Sequence, residues 1–224
     1  MDRTFPRPLG DIGNAGTFSF PVLYDVVQGL DTKPVPGMEQ TDRFYDAILA
    51  SCQRLVDCGV TALTTTSGYA ALQQARLAAE LPVPFASSSL VQLPTVFALL
   101  GPHKKLGVLA ARAENLTPQH LLAAGVTEDQ LRRVRVLDLG ESPSFRSAII
   151  DNPGSAALDI TAAKMEISDL CKSAVKSDPD IGGFVAECAN VGVYAHDIQL
   201  TTGLPVWDTI SLVYWLHSVC SSTN

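Results

Sequence analysis

Among the five cysteines, Cys52, Cys58, Cys171, Cys188 and Cys220, one stands where a thiol can do chemistry. Cys188 follows an apolar run, Gly182 to Glu187, that reads as a buried strand, and a helical pattern resumes a few residues later. Free N–H groups at a helix start acidify a thiol and make it a usable proton donor and acceptor. Cys52 and Cys58 fall in one helical pattern, Cys171 in another and Cys220 near the end of the last, all positions for small buried hydrophobes. A purely structural role for Cys188 stays open as well. Three polar clusters accompany it. Thr64-Thr65-Thr66-Ser67-Gly68 lies between a strand and a helix, where backbone N–H groups could bind a carboxylate, or where Thr66 or Ser67 simply caps the helix. Ser87-Ser88-Ser89 carries the same two readings. The run Gly10 to Thr17 reads either as a tight turn or as a backbone cradle for an anion, with Asn14 offering an amide.

Other chemistries are excluded by what is missing. The Gly10 to Thr17 run has no Gly-Lys-Ser/Thr ending and no Gly-x-Gly-x-x-Gly, so it is neither a P-loop nor a dinucleotide fingerprint. No Gly-x-Ser-x-Gly elbow is present for a serine hydrolase. His103, His120, His196 and His217 form no motif, and His196-Asp197 reads as part of a helix face. An odd cysteine count without Cys-x-x-Cys or a nearby His argues against disulfides and zinc. Glu187 points away from Cys188 by strand alternation and is read as structural.

The elements that must position these residues alternate. Asp42 to Cys58 reads as an amphipathic helix capped by Asp42, and Val60 to Leu63 as a strand. A helix over Tyr69 to Glu80, a strand approach over Leu81 to Ala86 and a helix from Leu90 to Leu100 follow. The grammar then restarts with strand Lys105 to Ala110, helix His120 to Ala124, strand Arg133 to Leu139, helix Asp159 to Lys176 and the strand before Cys188. Helix Tyr194 to Thr202, strand Pro205 to Asp208 and helix Thr209 to Val219 complete it, while Phe20 to Val27 reads as strand or helix. Such alternation implies parallel sheets with right-handed crossovers, and ligands beyond the carboxyl ends of the strands. Three of those ends carry small polar residues: Thr64 to Ser67, Ser87 to Ser89, and Cys188 to Asn190. The Asn115-Leu116-Thr117 turn is a fourth, a few residues past its strand.

Composition bounds the rest. Of 224 residues, 46% are apolar and 17% charged, which is globular rather than disordered. The net charge of -7, with no basic run, argues against a nucleic-acid partner. The polar, Pro-containing start and the short apolar stretches give no signal peptide and no membrane span, so the chain reads as cytoplasmic.

Thr64-Thr65-Thr66-Ser67-Gly68-Tyr69 resembles the first cysteine motif of the aspartate/glutamate racemase superfamily. Phe184-Val185-Ala186-Glu187-Cys188-Ala189-Asn190 resembles its second, Glu-Cys-Thr-Asn. SSSLVQLP and KLGVLAARAENLTPQHLLAAGV are similar to family segments, and GDIGNAGTFSFPVLYDVVQG to the start of an uncharacterised branch. The resemblance implies two flavodoxin-like α/β halves, 1–98 with 205–224 and 99–204, related by a pseudo-twofold with the active site between them. It implies a cofactor-independent isomerase, free of metal and pyridoxal phosphate. Such an enzyme moves a proton alpha to the carboxylate of a small acid or amino-acid-like substrate, and pairs into oligomers. Carried over by motif, Cys188 and Ser67 are catalytic, and Asn14, Thr66, Gly68, Ser88, Thr117, Ala189 and Asn190 bind substrate and stabilise an enediolate.

The departure from the family is Ser67, which stands where the first cysteine belongs. A hydroxyl is far less acidic than a thiol and is a poor base near neutral pH. Three explanations stand open. The serine is an engineered replacement in a racemase; or it is native to a one-cysteine lyase resembling the arylmalonate decarboxylases; or the scaffold binds carboxylates without chemistry.

Overall fold

The computed structural model describes residues 6–30, 37, 40–151 and 157–221. Six strands form two wholly parallel sheets among the described residues. The smaller pairs β1 (Leu63–Thr64) with β2 (Phe85–Ala86). The larger contains β3 (Lys105–Ala110), β4 (Val134–Asp138), β5 (Ile181–Ala186) and β6 (Val206–Trp207), in the order β4-β3-β5-β6. The α-helices are α1 (Asp42–Asp57), α2 (Gln74–Glu80), α3 (Leu93–Leu100), α4 (Pro118–Ala123), α5 (Glu128–Leu131), α6 (Pro143–Phe145), α7 (Ile160–Ser177), α8 (Ala195–Thr202) and α9 (Thr209–Cys220).

The larger sheet is covered on both faces, which is why its central strands are apolar without alternation. All six residues of β5 are buried. On one side Phe184 and Leu109 pack with Ile167 and Cys171 of α7; on the other Val185 and Val108 pack with Phe97 of α3 and Leu121 of α4. Gly107 makes room for this arrangement, since a Cβ there would lie 2.5 Å from Cδ1 of Phe184. The smaller sheet closes over Phe44, Ile48 and Cys52 of α1 and Leu77 of α2.

The junctions that follow the strands share one local form. A short 3-10 turn intervenes between strand and α-helix at Gly68–Gln73, Ser89–Gln92 and Ala189–Tyr194. Continuous α-helix from Tyr69 and from Leu90, as the pattern suggests, is therefore not what forms. Ser67, Ser88 and Cys188 occupy the N-cap position of these three turns. Residues of like position on successive strands thus converge on the carboxyl side.

Other details differ from the sequence reading. Thr41, not Asp42, caps α1, its side chain accepting from the N–H of Phe44. Cys58 follows that helix as its exposed C-cap rather than lying within it. Phe20 to Val27 is neither strand nor helix but an open segment, with Phe20 stacked on His217 of α9. Residues 143–150, unassigned from sequence, form α6 and a π-turn, Arg146–Ile150. At the end of the chain β6 pairs with β5, while Leu212 and Leu216 of α9 pack with Ala86 of β2, so this stretch joins the two sheets. Among the described residues no helix is long and apolar enough to cross a membrane.

Candidate active site

Cys188 begins where β5 ends. Its N–H donates to the carbonyl of Leu109 at 3.2 Å, so the last rung of the central sheet fixes the residue. Its side chain is buried, and Sγ lies 3.7 Å from Oδ1 of Asn190. Asn190 in turn donates through Nδ2 to Oδ2 of Asp11 at 2.8 Å. Asp11 is buried and accepts on Oδ1 from Nη1 of Arg7 at 2.8 Å and from the N–H of Gly13 at 2.7 Å. A continuous polar chain therefore runs from the thiol to the guanidinium of Arg7. It holds the thiol's orientation, and it leaves no room for a side chain on Gly13, where an ideal Cβ would lie 2.7 Å from Cζ of Arg7. The loop lies directly on the 3-10 turn, with Gly192 so close to the carbonyl of Gly10 that a Cβ would sit 2.8 Å from it.

On the far side of Cys188 stands Glu187. Its Oε2 accepts from the N–H of Ala111, just past β3, at 3.2 Å, and its carboxylate also accepts from the N–H of Gly68. The carboxyl group occupies the space a side chain on Gly68 would need, Oε1 lying 2.0 Å from an ideal Cβ there. Glu187 thus stitches the junction after β1 to the junctions after β3 and β5, a structural role in keeping with the sequence reading, whose partners Gly68 and Ala111 the sequence did not reveal.

The electrostatics follow from burial. Burial pushes the Glu187 carboxyl up to about 7, against the opposing pull of the Ala111 and Gly68 N–H groups. Burial first, then the charges of Glu187 and Asp11, raise the Cys188 thiol, with the N–H of Asn190 and the charge of Arg7 acting the other way. Burial and Glu187 also raise Tyr69, whose hydroxyl bonds the Asn115 side chain. Burial and the neighbouring carboxylates outweigh the helix-terminus acidification anticipated for Cys188.

The remaining site candidates divide. Ser67 is half-buried, its hydroxyl making no capping bond, and it directly precedes the Gly68 that touches Glu187. Gly68, Ala189 and Asn190 are therefore gathered with Cys188. Asn14 spends its amide within its own loop, accepting from the N–H of Gly16 and donating to the carbonyl of Arg7. Ser88 accepts from the N–H of Leu90. Thr117 contacts Nδ1 of His120 at 2.9 Å. Thr66 is exposed and lines a hollow of about 440 Å³ between Phe18, Phe20, Val60 and Val213, which neither Ser67 nor Cys188 lines. Asp197 pairs with Lys164 at 3.1 Å instead of with its neighbour His196. Among the described residues no three His, Cys, Asp or Glu side chains gather to hold a metal.

Known structures share this architecture. An aspartate racemase homologue from Pyrococcus horikoshii OT3 superposes with a TM-score of 0.57 over 83% of this chain and 80% of that one, at 16% identity. Allantoin racemase from Pseudomonas fluorescens gives 0.52 over 80% and 70%, at 18% identity. The chain shares the parallel α/β fold of these racemase-like structures. In sequence it is 29% identical over 215 residues to a dimethylsulfoniopropionate lyase of Durusdinium sp. clade D, covering 92% of this chain and 67% of that one. It is 26% identical over 218 residues to dimethylsulfoniopropionate lyase 7 of Emiliania huxleyi, covering 94% of this chain and 62% of that one. The chain thus spans about two thirds or less of the length of these relatives. No family model matches.

Proposed function

We propose that this chain is a cofactor-independent carbon-acid enzyme, a lyase that removes a proton alpha to a carboxylate and expels a leaving group from the beta carbon. The substrate class is a small carboxylate with a sulfonium at the beta carbon, dimethylsulfoniopropionate being the prototype. Cys188 is the proton-transfer group. The observation that carries this reading is the Cys188 thiol at the carboxyl end of the central strand, oriented through Asn190 onto Asp11. The names of the curated relatives support the substrate class.

In the reaction the Cys188 thiolate takes the alpha proton. The released pair forms the Cα=Cβ double bond, the Cβ–S bond breaks, and dimethyl sulfide leaves with its electrons; acrylate remains and the thiol returns its proton to water. The sulfonium matters for the thiol as well as for the leaving group. A positive charge near Cys188 opposes the charges of Glu187 and Asp11 that raise it, so substrate binding itself favours the thiolate. A lyase needs one base, which suits a site with Ser67 where a second thiol would stand. The smaller and the larger sheet, joined by β6 and α9, form the two walls; Ser67 and the N–H groups around Ala189 hold the carboxylate, while Asn14, Ser88 and Thr117 shape the walls.

A second reading is isomerisation, favoured by the like placement of Ser67 and Cys188 at equivalent N-caps, one for each face of a planar intermediate. Parallel incubations in deuterium oxide, one with dimethylsulfoniopropionate and one with single enantiomers of small chiral carboxylates, separate the two. Release of dimethyl sulfide and acrylate is the expected outcome. Alpha deuteration with inversion of chiral carboxylates, and no sulfide release, would assign the isomerase reading instead.

A further inference from the structure

Glu187 is a buried ionisable group that proton transfer by Cys188 does not itself require. Its carboxylate accepts two backbone N–H groups, one from Gly68 beside the smaller sheet and one from Ala111 of the larger. These two donors favour the ionised form, and burial opposes it, so the carboxyl ionises only near pH 7. The same charge sits one residue from the Cys188 thiol, which it disfavours ionising. We propose that Glu187 is a positioning residue for Cys188, clamping the two sheets across Gly68 and Ala111 and keeping the resting thiol a proton donor until a cationic substrate enters. This rests on the lyase reading for the substrate but not for the behaviour of the thiol.

The charged and titratable groups facing this pair are few. Asp11 and Arg7 come from the N-terminal loop, Tyr69 from the first 3-10 turn and Tyr194 from the last. Asp11 acts on the thiol in the same sense as Glu187, and Arg7 in the opposite sense. Arg112 and Glu166 act on the two tyrosines rather than on the thiol. Glu187 is the nearest in sequence, and its charge is the largest influence on Cys188 after burial.

The test is the rate of Cys188 alkylation by iodoacetamide between pH 6 and pH 9, resolved by peptide mass spectrometry so that exposed Cys58 does not confuse it. In the parent chain the logarithm of the rate should climb with less than unit slope through pH 7, because Glu187 ionises there and opposes the thiolate. Glu187→Gln should react about tenfold faster than the parent at pH 8. Glu187→Asp, which keeps the charge and loses the reach, should show no such gain. Unit slope throughout in the parent, or equal rates for the parent and Glu187→Gln, would overturn the proposal; if Glu187→Gln fails to fold, the parent's slope and Glu187→Asp decide. No substrate is involved, so a parent that never cleaves dimethylsulfoniopropionate would sink the lyase reading and leave this result standing.

Discussion

Gly68 and Glu187 interlock: the carboxylate of one fills the place where the other would carry a side chain, with Oε1 2.0 Å from an ideal Cβ. This is the point at which the junction after β1 meets the junction after β5. A methyl group there must push Glu187 off both of its N–H donors. Gly68→Ala should therefore destabilise the chain by about 1–3 kcal/mol, the usual cost of overpacking. Urea unfolding measures it, and an unchanged midpoint would show that the contact does not hold the halves together.

Asn190 bridges Cys188 and Asp11, and Asp11 is buried. Asn190→Ala removes one donor from that carboxylate and the acceptor facing the thiol. The expected cost is about 1.5–3 kcal/mol, typical of a hydrogen bond to a charged group. Turnover number should fall more than apparent substrate affinity, since the thiol loses its orientation. A variant with parent kinetics would mean that the polar chain is not part of the working site.

Stability should also depend on pH through Glu187. Its carboxyl titrates near 7 in the folded chain and near its ordinary 4.5 when unfolded. Between those values the folded chain holds the extra proton, so the contribution is fully present below about pH 4.5 and is lost as pH rises through 7. Melting temperature should fall from pH 5 to pH 8 more steeply in the parent than in Glu187→Gln. Parallel curves would place the titration elsewhere.

The larger sheet was legible because burial on both faces leaves a plain mark. Lys105 to Ala110 reads as a strand and forms β3 with the same limits. The smaller sheet left less: Val60 and Pro82 to Pro84 flank strands of two residues each, since prolines supply no ladder N–H. Phe20 to Val27 has strand-like composition, but Pro21 and its packing on α9 leave it open. The grouping of Cys188, Asn190 and Gly68 was legible in their types and their positions at strand ends. Asp11 and Glu187 were not, because a carboxylate earns its meaning from donors distant in sequence, here Asn190 for the first and Gly68 and Ala111 for the second.

Ser67 occupies the position on the first junction that Cys188 holds on the last. Ser67→Cys should install a second acid/base group and raise alpha-deuterium exchange of bound carboxylates by about a hundredfold, in line with general acid–base catalysis. No gain would show that the two N-caps do not address the same carbon.

The thiol at position 188 is the centre of the account. Dimethyl sulfide release from dimethylsulfoniopropionate, followed by gas chromatography for the parent chain and for Cys188→Ala, tests it directly. The account predicts steady release by the parent and release at the uncatalysed rate by the variant, with the circular dichroism of the two superimposable. A Cys188→Ala chain that still liberates the sulfide at the parent rate would contradict it.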